Sequence, residues 1–229
     1  MARMRSFRWF GGTVLAAFVV WLALALGAQA AGAPARYSPP GDKWTGVFRL
    51  EPGVTYTYVL SAAERGRPVL RFEERGRLNI WLAPGGSQEI RFSYTVGGVQ
   101  RSGTAPNNPH ALAGAVLLSA LTGPNPLPEN ALRLLSTSLQ WIQWADLFTE
   151  STLFRNGTVW EVYQNPPLRF TATRRANETY EGQVTLGRET LLELRIKLSE
   201  PLPERAVSYY AREVYRAELE SVPQRRPLR

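Results

Sequence analysis

Few residues in this chain are equipped for chemistry, and their spacing decides what they could do. His110 is the only histidine, so any Ser-His-Asp relay has to run through it. It follows Asn107-Asn108-Pro109 and opens an apolar run, where Asn108 suits a helix N-cap and His110 falls at the helix start. The two aspartates are Asp42 and Asp146, and the sequence has no Gly-x-Ser-x-Gly elbow. Paired carboxylates for glycoside hydrolysis would come from Glu73-Glu74 or from Glu218 and Glu220. The first two point to opposite faces of a strand, and the second two fall in an outward-facing alternation. There is no cysteine, which removes thiol catalysis, thiolate metal ligands and disulfides together. Gly85-Gly86 and Gly97-Gly98 lack the following Lys and helix of a phosphate-binding loop. The sequence therefore predicts a protein that is not an enzyme and uses no cofactor or metal.

The enriched resource is aromatic. Trp141-Ile142-Gln143-Trp144 places two indoles at i and i+3, which share a face if the segment is helical. Such a pair fills a core or lines a cavity for an apolar ligand. With Leu117, Leu135 and Leu139, the residues Trp141 and Trp144 make the candidate wall of a binding site.

The formal net charge of +8 is unevenly placed. Arg3, Arg5 and Arg8 carry three charges and Arg225, Arg226 and Arg229 three more, which leaves +2 for the remaining chain. That balance predicts no nucleic-acid partner. The arginines near the start precede an apolar stretch, Gly11 to Ala28, and small residues at Ala28 and Ala30, the pattern of a secretory signal. The chain is expected to be exported, to a periplasm or beyond, with residues 1–30 removed. The alternative is an inner-membrane anchor through residues 11–28, which is slightly short of a full span.

Residues 31–45 have a linker's composition, 46–222 form a single β-rich domain and 223–229 a basic tail able to touch a membrane surface. Period-two alternation marks strands at Tyr56–Leu60, Leu70–Phe72, Leu78–Leu82 and Ile90–Val96, with turns at Arg65-Gly66, Arg75-Gly76, Pro84-Gly85-Gly86 and Gly97-Gly98. From about 109 to 148 the spacing turns helical. The first helix is apolar nearly all round and is expected to be deeply covered. Pro128 suits the first turn of the second, whose stripe is Leu132, Leu135, Leu139 and Ile142. Strands resume at Val159–Tyr163, Leu168–Thr173, Tyr180–Leu186 and Leu191–Leu198, then at Val207–Tyr210 and Glu213–Val222.

The fold class that follows is mainly β with a helical insertion (α+β). It is a curved antiparallel sheet or half-open barrel of about ten strands, with two central helices on its concave face. In architecture alone, with no shared motif, this resembles the envelope carriers of the lipoprotein-localisation-factor type, which hold acyl chains between sheet and helices. The resemblance implies a hydrophobic ligand. The alternative is a structural or assembly factor of the bacterial envelope that acts through protein–protein contacts.

Overall fold

Alternating side chains need a partner surface, and here they find it in one antiparallel sheet with two helices. The computed structural model describes residues 50–83, 89–142, 158–164, 167–176, 179–197, 200–220 and 224–225. The expected signal, the linker, Trp144 and the end of the helical insertion lie outside these residues. The strands are β1 (Val54–Glu64), β2 (Glu73–Leu82), β3 (Glu89–Val96), β4 (Val99–Pro106), β5 (Thr158–Gln164), β6 (Pro167–Arg174), β7 (Thr179–Leu186), β8 (Glu189–Lys197), β9 (Arg205–Tyr210), β10 (Glu213–Leu219) and β11 (Gln224–Arg225). The helices are α1 (Pro109–Thr122) and α2 (Glu129–Ser138).

Two meanders make the sheet. Its order is β4-β3-β2-β1-β10-β9-β8-β7-β6-β5, with β11 added on β1. Among the described residues no pairing joins β4 to β5, so the sheet is open. Register keeps one apolar side continuous. Tyr58 lies opposite Leu78, which lies opposite Tyr94. Farther along, Ala62 pairs with Tyr215, Tyr215 with Ser208, Ser208 with Leu192 and Leu192 with Val184. Tyr58, Leu60, Leu78, Ile80, Phe92, Val184, Leu192 and Ile196 are all buried on this side.

Arginine and glutamate occupy much of the other side. Ion pairs such as Arg77–Glu74 (3.0 Å), Arg195–Glu204 (3.2 Å) and Arg175–Glu181 (2.6 Å) are solvent-exposed. Each contributes about 0–1 kcal/mol, so they keep the face wet without holding the fold.

Both helices lie on the apolar side. Asn108 caps α1, its carboxamide oxygen accepting from the His110 and Ala111 amides at 2.9 and 3.1 Å. Leu112, Val116, Leu117 and Ala120 are its buried stripe, and Tyr94 on β3 meets Ser119 at 3.1 Å. Helix α2 buries Ala131, Leu134 and Leu135 and packs against β1, β3, β9 and β10.

Four expectations are corrected. Leu70–Phe72 is not a strand, and Leu70 is exposed. Arg75-Gly76 is not a turn but mid-β2: a Cβ on Gly76 would come within 2.8 Å of both the Thr95 carbonyl oxygen and Val96 Cγ2, beside the register shift at Leu60/Ser61. The glycine there marks close approach of a neighbouring strand. Helix α2 ends at Ser138, so Leu139, Trp141 and Ile142 do not continue its helical stripe; Trp141 sits on the short 3-10 turn that follows. Finally, α1 is covered on one side only. Its outward Leu118 and Leu121 are 60% and 45% exposed, because the sheet reaches only the stripe that faces it.

Candidate functional site

The residues with chemical potential do not converge. His110 is exposed at the first turn of α1. Glu74 and Glu220 both bind Arg77, Glu73 pairs with Arg75 at 3.6 Å and Glu218 with Arg216 at 3.2 Å. These carboxylates are committed to arginines on the exposed side of the sheet. No group of three or more metal-ligating side chains occurs among the described residues.

Two buried tyrosines carry the most perturbed groups. Tyr58 is fully enclosed, and its hydroxyl donates to the Pro203 carbonyl at 2.6 Å. Burial pushes its phenol well above the ordinary tyrosine range. Tyr215 donates to Glu213, which also accepts from Arg133 of α2 at 3.3 Å. Burial first, and then the Glu213 carboxylate, push the Tyr215 phenol far up. Neither phenol releases a proton near neutral pH. Their hydroxyls act as struts, one holding the β8–β9 connection to β1 and the other sharing Glu213 with α2.

The expected ligand wall is largely core. Leu135, Leu139 and Trp141 have 0%, 2% and 1% of their surface accessible, and Leu117 has 8%. The Trp141 ring lies 5.6 Å from that of Tyr58, tilted by 37°. A water-sized molecule has almost no access to these side chains. Leu135 and Leu139 are joined through one backbone hydrogen bond of 3.2 Å, while Leu117 belongs to the other helix. Trp144 lies outside the described residues.

An open groove exists elsewhere, at the end of the sheet. It has a volume of about 470 Å³ and runs between β4 (Val99, Gln100, Arg101, Ser102) and the last turn of α1 with its following loop (Ser119, Thr122, Gly123, Pro124, Asn125). None of the expected wall residues lines it. Arg101 crosses its base and donates to the Ser119 and Asn125 carbonyls. The remaining lining is neutral. No protein-family model matches the sequence, and no curated protein matches it either. The site is read from its geometry alone.

Strand β4, which lines the groove, is the element that pattern reading missed. Its sequence, Val-Gln-Arg-Ser-Gly-Thr-Ala-Pro, has no apolar alternation. The signal was the turn before it. Gly97 and Gly98 have φ of +58° and +77°, the two-residue turn that demands a returning strand.

Proposed function

We propose that this is an exported, non-enzymatic protein of the cell envelope that acts through protein–protein contacts, as a structural or assembly factor. In this reading the sheet curves around the helices as a half-open barrel whose concave side is filled by the protein's own side chains. The observation that supports it is the burial of Leu135, Leu139 and Trp141, with the Trp141 ring against Tyr58, as core residues rather than as an open wall. Apolar surface is instead turned outward, at Leu118 and Leu121 on a helix without a single charged residue. Exposed apolar residues of that kind suit a partner surface.

Native mass spectrometry of the protein purified from its own host tests this. The expected species is the bare polypeptide starting at Ala31, with tryptophan fluorescence unmoved by fatty acids. A co-purifying acyl lipid would overturn the reading in favour of a carrier.

A further inference from the structure

Strand β4 ends the sheet, and nothing in its sequence protects it. Exposed edges are commonly blunted by lysine, a bulge or an interior proline. Strand β4 has no lysine, pairs with β3 without a register shift from Glu89/Pro106 to Val96/Val99, and carries proline only at its last position. The two-residue turn makes Val96 and Val99 a hydrogen-bonded pair, so the backbones of Val99, Arg101, Gly103 and Ala105 face β3. Those of Gln100, Ser102 and Thr104 then face outward, and all three residues are exposed. Among the described residues no strand pairs with these N–H and C=O groups, which repeat every second residue and fit another extended backbone.

The side chains say which backbone. A row of neutral polar groups crosses the wet side of the sheet: Thr57 donates to Asn79 at 2.8 Å, and Asn79 donates to Ser93 at 3.1 Å. Ser93 lies opposite Ser102, so the row ends at the edge. The one charge on β4, Arg101, is directed to the carbonyls at the end of α1. A two-fold interface sets each patch against its own copy, which a charged edge would oppose and a neutral one permits.

We propose that β4 pairs antiparallel with β4 of a second copy of this chain, about a two-fold axis at Ser102. The proposal rests on the reading of this protein as one that works through protein contacts, and names the partner. Gln100 then faces Thr104 of the second copy, and Ser102 faces its own equivalent. The two α1 helices come to lie on the same side of the joined sheet. Ala111, Ala115, Leu118 and Thr122 follow one another at helical spacing on the flank of α1 that carries the groove-lining Thr122. That flank would meet its copy and cover Leu118. Edge and helix together would bury on the order of 1,200 Å², the lower end of the range for stable pairs.

Sedimentation velocity on the purified protein tests this at micromolar concentration. The wild type is expected to sediment as a dimer. Ser102→Pro removes an amide that faces the edge rather than β3, so it is expected to sediment as a monomer with an unchanged circular dichroism spectrum. Should that variant fail to fold, Gln100→Lys with Thr104→Lys leaves the backbone intact and is expected to give the monomer. Gln100→Lys with Thr104→Glu places opposite charges across the axis and is expected to restore the dimer. Because the chain has no cysteine, Ser102→Cys is expected to oxidise to a disulfide-linked dimer, and Arg188→Cys, on the exposed β7–β8 turn, is not. A monomeric wild type, a dimer unaffected by the edge variants, or a Ser102→Cys protein that stays unlinked each overturns the proposal. Any of these with lipid-free protein leaves the contact reading standing, whereas bound lipid overturns that reading whatever the oligomeric state.

Discussion

Replacing Trp141 with alanine separates a packed core from the wall of a cavity, because the two differ in cost. Trp141 is 1% accessible and stacks obliquely on Tyr58 at 5.6 Å. A buried tryptophan removes about 200 Å² from water, which at about 25 cal/mol per Å² is an upper figure of about 5 kcal/mol. Measured truncations of buried aromatic residues cost about 3–5 kcal/mol, including the cavity left behind. Trp141→Ala is therefore expected to lose about 3–5 kcal/mol. For a chain of this size that lowers Tm by about 6–20 °C. Urea unfolding followed by circular dichroism, with the m-value held as a check on two-state behaviour, measures it directly. A wall residue facing a void has already forfeited contacts on one side, and its removal enlarges that void at little cost. A loss below about 1 kcal/mol at unchanged m would refute the argument that Trp141 fills the core.

Three further outcomes follow from the same structure. The folded pKa of Tyr58 is raised by burial, so the stability it contributes is complete below pH 10 and is lost as pH rises toward the folded value. Alkaline unfolding curves above pH 10 are expected to be shallower for Tyr58→Phe by about 1.4 kcal/mol per pH unit, and equal slopes would contradict the assignment. Asn108→Ala removes both cap hydrogen bonds of α1 and is expected to cost about 1 kcal/mol in thermal or urea unfolding. Gly76→Ala forces a Cβ against the Thr95 carbonyl and Val96, so a loss of about 1–3 kcal/mol is expected, where an open turn would tolerate alanine.

Much of the fold was legible because β-strands with one buried side announce themselves. Leu192, Leu194 and Ile196 against Glu193, Arg195 and Lys197 could be read as β8, and Gly187 as its turn, since burial and period coincide there. The reading failed where a glycine had another purpose. Gly76 looks like a turn in sequence and is a point of close approach in space, a distinction that depends on Thr95 and Val96 of the next strand. It failed again at β4, which has no apolar alternation of its own and is held by its hairpin with β3 and by α1 packed over it. The groove was not legible in the pattern: none of Leu117, Leu135, Leu139 or Trp141 lines it, and only tertiary packing reveals that Trp141 and Leu135 are enclosed. Helix α1 shows the same limit. An all-apolar helix is expected to be buried all round, yet whether its second side meets protein is decided by the sheet's width, which no local pattern encodes.

The order of the strands also constrains when the protein can finish folding. Strands β1–β4 form one local meander and β5–β10 another, but they are joined at β1 and β10, where Tyr58 lies beside Leu219. That seam brings together segments from near opposite ends of the polypeptide, and its closure entropy is met only after both have been synthesised. Strand β1 therefore keeps one side open until residues 213–219 have been made, and β11 cannot join it until residue 224 has been added. However early its two meanders form, a growing chain cannot close the seam between them before that point.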